Sequence, residues 1–120
     1  MKKYENFCAA LQNLKDIYYY EEPYDNVVLT GLTGLYELCF EQAWKAAKEL
    51  LESNGFPETK TGSPRHILKA AYQVGMIQNE KLWIESLKTR NNVAHAYNHD
   101  IALDIVRQTK EKYYRKTILR

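Results

Sequence analysis

One uninterrupted helical repeat does most to limit what this chain can become. From Asp25, apolar residues at Val28, Leu32, Leu35, Tyr36, Cys39, Ala43, Ala47 and Leu50 recur at the spacing of one helix face. The run ends before Asn54-Gly55, with Asp25 suited to cap its start and Gly55 to stop its end. The spacing therefore predicts a single helix reaching across nearly the whole domain. Val27, Phe40, Trp44 and Leu51 widen its apolar face beyond what one neighbour covers, so it is either central in a bundle or half of a dimer interface. Gly31 and Gly34 each cost about 1 kcal/mol relative to Ala, which predicts a close backbone approach by another helix.

The flanking sequence supplies partners of the same kind. Tyr4, Phe7, Cys8, Leu11, Leu14 and Tyr18 predict a first helix over 3–20, stopped by Pro23. After the loop 56–62, Ser63-Pro64 pairs an N-cap with a proline at the first helical position and opens a third helix to about Val74, closed by Gly75. Asn79 caps a fourth helix carrying Leu82, Trp83, Ile84, Leu87 and Ala94, and Asp100 or a neighbour opens a fifth through Ala102, Ile105, Val106, Thr109 and Tyr113. No segment alternates with a strand period and no repeat appears. The expectation is an all-α chain, with residues 1–120 forming a single domain.

Composition narrows the class. A hydrophobic share of 45%, a charged share of 27% and only five Gly and three Pro fit a globular, helix-prone chain and exclude a disordered one. No run of about 18 apolar residues predicts a membrane span, and Met1-Lys2-Lys3 leads into an amphipathic pattern rather than a signal peptide. Cys8 and Cys39 both fall on apolar stripes, which predicts two buried thiols and a cytoplasmic location. From Arg107 to Arg120, six Lys or Arg face Glu111 alone, net +5, leaving −3 for residues 1–106 of a chain whose net charge is +2. That basic tail either contacts phosphates or complements a helix dipole as a solvated face.

The fourth helix carries polar residues where apolar ones belong. At about 100° per residue, Arg90 lies roughly 20° from Trp83 on the stripe defined by Trp83, Leu87 and Ala94, with Asn91 on the same side and His95 past the other edge. A guanidinium in such a place must be paired or line a wet groove. Two readings stay open. In one, Arg90 and Asn91 cap a neighbouring helix or pair with Glu37 or Glu41. In the other, Arg90 holds a phosphate and His95, which titrates near neutral pH, moves a proton in phosphodiester chemistry without a metal. Five residues put Arg90 and His95 roughly 140° apart on an ideal helix, so they converge only if the helix ends near His95 or a second copy completes the site. A groove across a two-fold axis is the expectation.

Three blocks make the chain resemble a known family over nearly its whole length. Tyr36-Glu37-Leu38-Cys39-Phe40-Glu41-Gln42-Ala43-Trp44-Lys45 looks like an aromatic-rich signature of helix two, and Ser63-Pro64-Arg65 with Ala70-Ala71 looks like a helix-three start. Trp83 followed by Arg90-Asn91 and then His95 and Tyr97 matches an R-x-x-x-x-H-x-Y motif. These are similar to the nucleotidyltransferase substrate-binding proteins of the HEPN superfamily. The resemblance implies an up-and-down four-helix bundle with an additional short helix, a homodimer, and a cognate minimal nucleotidyltransferase as antitoxin in a toxin-antitoxin pair. It implies a metal-independent endoribonuclease in which His95 activates the ribose 2′-hydroxyl or protonates the leaving oxygen, Arg90 stabilises phosphate charge and Asn91 orients the site. The product would be a 2′,3′-cyclic phosphate. Tyr97 matches the position to which an antitoxin attaches AMP, and added bulk and negative charge there would block RNA.

The competing expectation is a binding module: a non-catalytic subunit that presents an acceptor to a separate nucleotidyltransferase, since the fold also resembles the helical substrate domain of kanamycin-type nucleotidyltransferases. The chain itself lacks the Asp-x-Asp pair and the Gly-Ser loop of a nucleotidyltransferase, and it has no P-loop, dinucleotide fingerprint or H-E-x-x-H. His95 and His99 stand four apart but lack a convincing third ligand, so no metal or cofactor is predicted. His66 reads as a surface residue. The ten tyrosines, Tyr18-Tyr19-Tyr20 and Tyr113-Tyr114 among them, read as core or interface before base-stacking platforms.

Overall fold

The central helix forms as its spacing predicts and organises everything else. The structure, a computed structural model, describes residues 2–56 and 62–114. Among them are five α-helices and no strand: α1 (Lys2–Leu14), α2 (Asn26–Ser53), α3 (Pro64–Gln73), α4 (Glu80–Asn92) and α5 (His99–Gln108). A 3-10 turn (Lys15–Tyr19) prolongs α1, another (Val93–His95) follows α4, and a π turn (Thr109–Tyr113) continues α5. At about 1.5 Å per residue the 28 residues of α2 run most of the molecule's 47 Å long axis. α1, α3, α4 and α5 all pack on α2, with α1 making the most extensive contact.

Local chemistry sets the helix ends. Asp25 accepts from the Val28 amide at 2.8 Å, Ser63 from His66 at 3.3 Å and Asn79 from Leu82 at 3.0 Å. α5 is opened by Asn98, one of the neighbours of Asp100, whose side chain accepts from both Asp100 and Ile101. Gly55 and Gly75 take φ of +86° and +80° after α2 and α3. In each case the glycine amide and the one after it turn back onto the last helical carbonyls, Gly55 to Glu52 and Phe56 to Leu51, Gly75 to Tyr72 and Met76 to Ala71.

The core is a band along α2. Leu29, Leu32, Tyr36, Cys39, Phe40, Ala43, Ala46, Ala47 and Leu51 are buried from that helix, against Phe7 and Leu14 of α1, Ile17 of the turn that prolongs it, Ile67 and Leu68 of α3, Trp83 and Leu87 of α4, and Ile105 and Val106 of α5. α2 is thus central, the first of the two alternatives its wide face allowed.

Four expectations need correction. An added Cβ on Gly31 or Gly34 would meet nothing within 4 Å, so among the described residues no helix comes into contact there. Val27 is 80% exposed, at the very start of the helix and beyond the reach of the neighbours. Cys8 is exposed while Cys39 is buried, because α1 buries only a narrow stripe against α2. Ala94 is exposed as well: α4 ends at Asn92, and the tighter 3-10 turn rotates Ala94 off the stripe.

Candidate functional site

Tyr36 fixes how α4 lies on α2. Its hydroxyl donates to the Ser86 carbonyl at 2.5 Å and lies 2.6 Å from the Ser86 hydroxyl, with both residues buried. Burial pushes the Tyr36 phenol well above its ordinary range, so it stays protonated and remains a donor. About one helical turn further along both helices, Arg90 of α4 reaches Glu41 of α2. The paired positions rise together, 36 with 86 and 41 with 90, so the two helices run in the same direction, as an up-and-down order with α3 returning between them requires.

Arg90 is held on three sides. Its Nε donates to Glu41 Oε1, its Nη1 donates to Asn91 Oδ1 at 3.0 Å, and its guanidinium lies 6.0 Å from the centroid of the Phe40 ring. The indole N–H of Trp44 donates to the other Glu41 oxygen at 3.1 Å. Burial works to raise the Glu41 carboxyl, but the Arg90 guanidinium and the Trp44 N–H outweigh it and hold the group below its ordinary value. Of the two readings left open for Arg90, the structure contains the pairing, to Glu41 and not to Glu37, which points to solvent. The pairing leaves Nη2 of Arg90 without a partner among the described residues.

His95 and Tyr97 lie where the chain turns from α4 into α5. The Ala96 amide closes on the Val93 carbonyl at 3.0 Å and the Asn98 amide on the His95 carbonyl at 3.0 Å, so backbone hydrogen bonds hold the corner. His95 is exposed and Tyr97 is 88% exposed, with ring centroids 6.2 Å apart and planes at 69°. Asn91 is exposed too, engaged with Arg90. Since α4 stops three residues before His95, the ideal-helix angle between Arg90 and His95 does not apply; the helix ends near His95, the first of the two conditions for convergence.

A cavity of about 60 Å³ is lined by apolar residues including Phe7, Ala43, Leu68 and Trp83, and none of Arg90, Asn91, His95 or Tyr97 reaches it. Among the described residues no group of three His, Cys, Asp or Glu side chains is placed to hold a metal ion; His95 and His99 are separated by the break that Asn98 caps.

The described part of the basic tail is committed elsewhere. Arg107 grips Glu22 with two hydrogen bonds of 2.9 and 2.6 Å, Lys110 donates to the Tyr20 carbonyl and the Tyr24 hydroxyl, and Lys112 donates to Glu85 at 2.7 Å. These three cations tie the end of α5 to the segment between α1 and α2 and to α4. Arg115, Lys116 and Arg120 lie outside the described residues. Of the tyrosines, Tyr36, Tyr113 and Tyr114 are buried, Tyr18 bonds the Lys110 carbonyl, and His66 is exposed as expected.

Sequence reading named Glu41 as a partner but gave Phe40 and Trp44 no part in the site. The signal was present: Tyr36, Phe40, Glu41 and Trp44 belong to one block, and each touches α4 or a side chain that does.

A five-helix bundle whose second helix braces an Arg-Asn-His-Tyr corner at the α4–α5 junction defines a class of small helical proteins. Solved structures share this arrangement of helices. One, a protein of Thermus thermophilus, superposes with a TM-score of 0.74 at 26% identity, over 91% of this chain and 90% of that one. The family described as nucleotidyltransferase substrate binding protein like matches residues 2–118, and the chain belongs to that family. No curated protein matches it. No helix among the described residues is long and apolar enough to cross a membrane.

Proposed function

We propose that this chain is the cytoplasmic HEPN-type partner of a minimal nucleotidyltransferase and acts as the toxin of a toxin-antitoxin pair, a metal-independent endoribonuclease working as a homodimer. The observation that carries the reading is the junction itself. It sets an exposed imidazole, His95, in ring contact with an exposed phenol, Tyr97, five residues after an arginine whose guanidinium has one terminal nitrogen unengaged among the described residues. In this mechanism Arg90 Nη2 meets a phosphate oxygen, His95 takes the 2′-hydroxyl proton or delivers one to the leaving oxygen, and Asn91 keeps the guanidinium plane turned toward the groove. An AMP group on Tyr97 would stand against the His95 ring, adding bulk and negative charge where RNA must approach. A second copy brings a second junction to the two-fold axis and completes the groove.

A second reading is favoured by one observation. Glu41 neutralises Arg90, which weakens the claim of that cation on a phosphate and suits a non-catalytic subunit presenting an acceptor to the nucleotidyltransferase. Expression in a bacterial host separates the two. The ribonuclease reading predicts that the wild-type chain arrests growth, that His95→Ala does not, and that a co-produced nucleotidyltransferase relieves the arrest for wild type but not for Tyr97→Phe. A harmless wild-type chain that still binds its nucleotidyltransferase would favour the binding subunit.

A further inference from the structure

Among the described residues, the cations whose side chains carry neither an ion pair nor a hydrogen bond are not those of the basic C-terminal stretch. Arg107, Lys110 and Lys112 are spent on internal partners, whereas Lys3, Lys45 and Lys48 carry no ion pair among the described residues. Those three lysines line one groove of about 310 Å³ on the α1–α2 edge, together with Trp44, Glu49 and Glu52. Trp44 is half-buried, packed in part against the core and in part facing the groove. Oε1 of Glu49 accepts from the Lys3 amide at 3.1 Å, and with three lysines against the carboxylates of Glu49 and Glu52 the lining has a formal excess of one positive charge.

This groove adjoins the junction through bonds already described. Trp44 donates to Glu41, and Glu41 accepts from Arg90, so a side chain lining the groove and the Arg90 guanidinium are two hydrogen bonds apart. Lys45 and Lys48 follow Glu41 by four and seven residues and continue its helix face. An aromatic ring flanked by lysines is what single-stranded nucleic acid uses, a base stacking on the ring and phosphates meeting the ammonium groups. The volume suits one nucleotide.

We propose that the Trp44 groove seats a nucleotide of single-stranded RNA flanking the phosphate held at Arg90, with its base on Trp44 and its backbone on Lys45, Lys48 and Lys3. The assignment rests on the ribonuclease reading for its substrate class. A second groove, between α3 and α4, also holds cations, Arg65, Lys69, Lys81 and Lys88, but no aromatic ring, and Lys69 already leans on Glu80 at 3.9 Å.

The test is fluorescence anisotropy with a short labelled single-stranded RNA and full-length His95→Ala protein, which leaves the RNA intact. Trp44→Leu is expected to weaken binding between about fivefold and about a hundredfold. Trp44→Phe, which loses the bond to Glu41 but keeps a ring, is expected to retain most of it. Lys45→Glu with Lys48→Glu is expected to weaken binding and reduce the salt slope by about 1.4, while Arg65→Glu with Lys81→Glu has a smaller effect. Unchanged binding in Trp44→Leu and in the lysine pair, equal losses from the two charge reversals, no RNA binding by the parent, or losses confined to nucleotidyltransferase binding would each overturn the groove. The two proposals fail separately: cleavage by wild type with unaltered KM in Trp44→Leu removes the groove alone, and groove-dependent RNA binding without cleavage by wild type removes the ribonuclease alone.

Discussion

Glu41 is the residue on which the site turns. Its carboxylate joins α2 to the motif on α4, accepting from Arg90 with one oxygen and from Trp44 with the other. Because the folded carboxyl lies below its ordinary value of 4.5, the pair's contribution is fully present above that value and is lost as pH falls through the folded one. Glu41→Gln should therefore cost about 1 kcal/mol near neutral pH and flatten the acid limb of the stability profile below 4.5. Urea midpoints taken across that range measure it, and superimposable acid limbs for the two proteins would show that the ion pair does not form in solution. Arg90 is the harder residue to read from sequence. A helical wheel shows that a cation sits in an apolar face, but whether Glu37 or Glu41 answers it depends on how α4 is set along α2, and that is fixed by Tyr36 and Ser86, 50 residues apart.

At the scale of elements, what was legible is what is decided locally. Asp25, Ser63 and Asn79 cap their helices within three residues, and Gly55 and Gly75 close theirs within two, so these boundaries follow from neighbouring side chains alone. The end of α4 has no such mark: no Gly or Pro lies between Glu80 and Asn98, and the helix tightens into a 3-10 turn because α5 must start at Asn98 and fold back. Periodicity carried the stripe on to Ala94 for that reason. It also placed Cys8 inside, since a repeat gives the direction of a face but not how far the neighbouring helix covers it. The glycines of α2 offer a prediction at this scale. Gly31 and Gly34 have helical backbone and open space at Cβ, so Gly31→Ala and Gly34→Ala should each stabilise the fold by about 1 kcal/mol, seen as a raised urea midpoint. Destabilisation by either alanine would mean that something other than the described residues occupies that space.

For the whole molecule, the arrangement explains a division of charge that composition conceals. The net charge of +2 combines a basic C-terminal stretch with an acidic remainder, yet the described part of that stretch closes the bundle through Glu22, Tyr20, Tyr24 and Glu85, and Lys3, Lys45 and Lys48, three of the lysines without ion pairs among the described residues, line the groove beside Trp44. The fold class was open to sequence reading because five amphipathic segments with short connections admit few other packings. The site was legible as a list of residues, Arg90, Asn91, His95 and Tyr97, but not as a place, because its support comes from α2. The family ties the chain to nucleotidyltransferases, and the central claim is that the α4–α5 junction cleaves RNA. The most direct measurement is incubation of purified, partner-free protein with RNA in excess chelator, followed by analysis of the new 3′ ends. The account predicts 2′,3′-cyclic phosphate ends from the wild-type chain and none from His95→Ala; intact RNA with wild type, or equal cleavage by the variant, would contradict it.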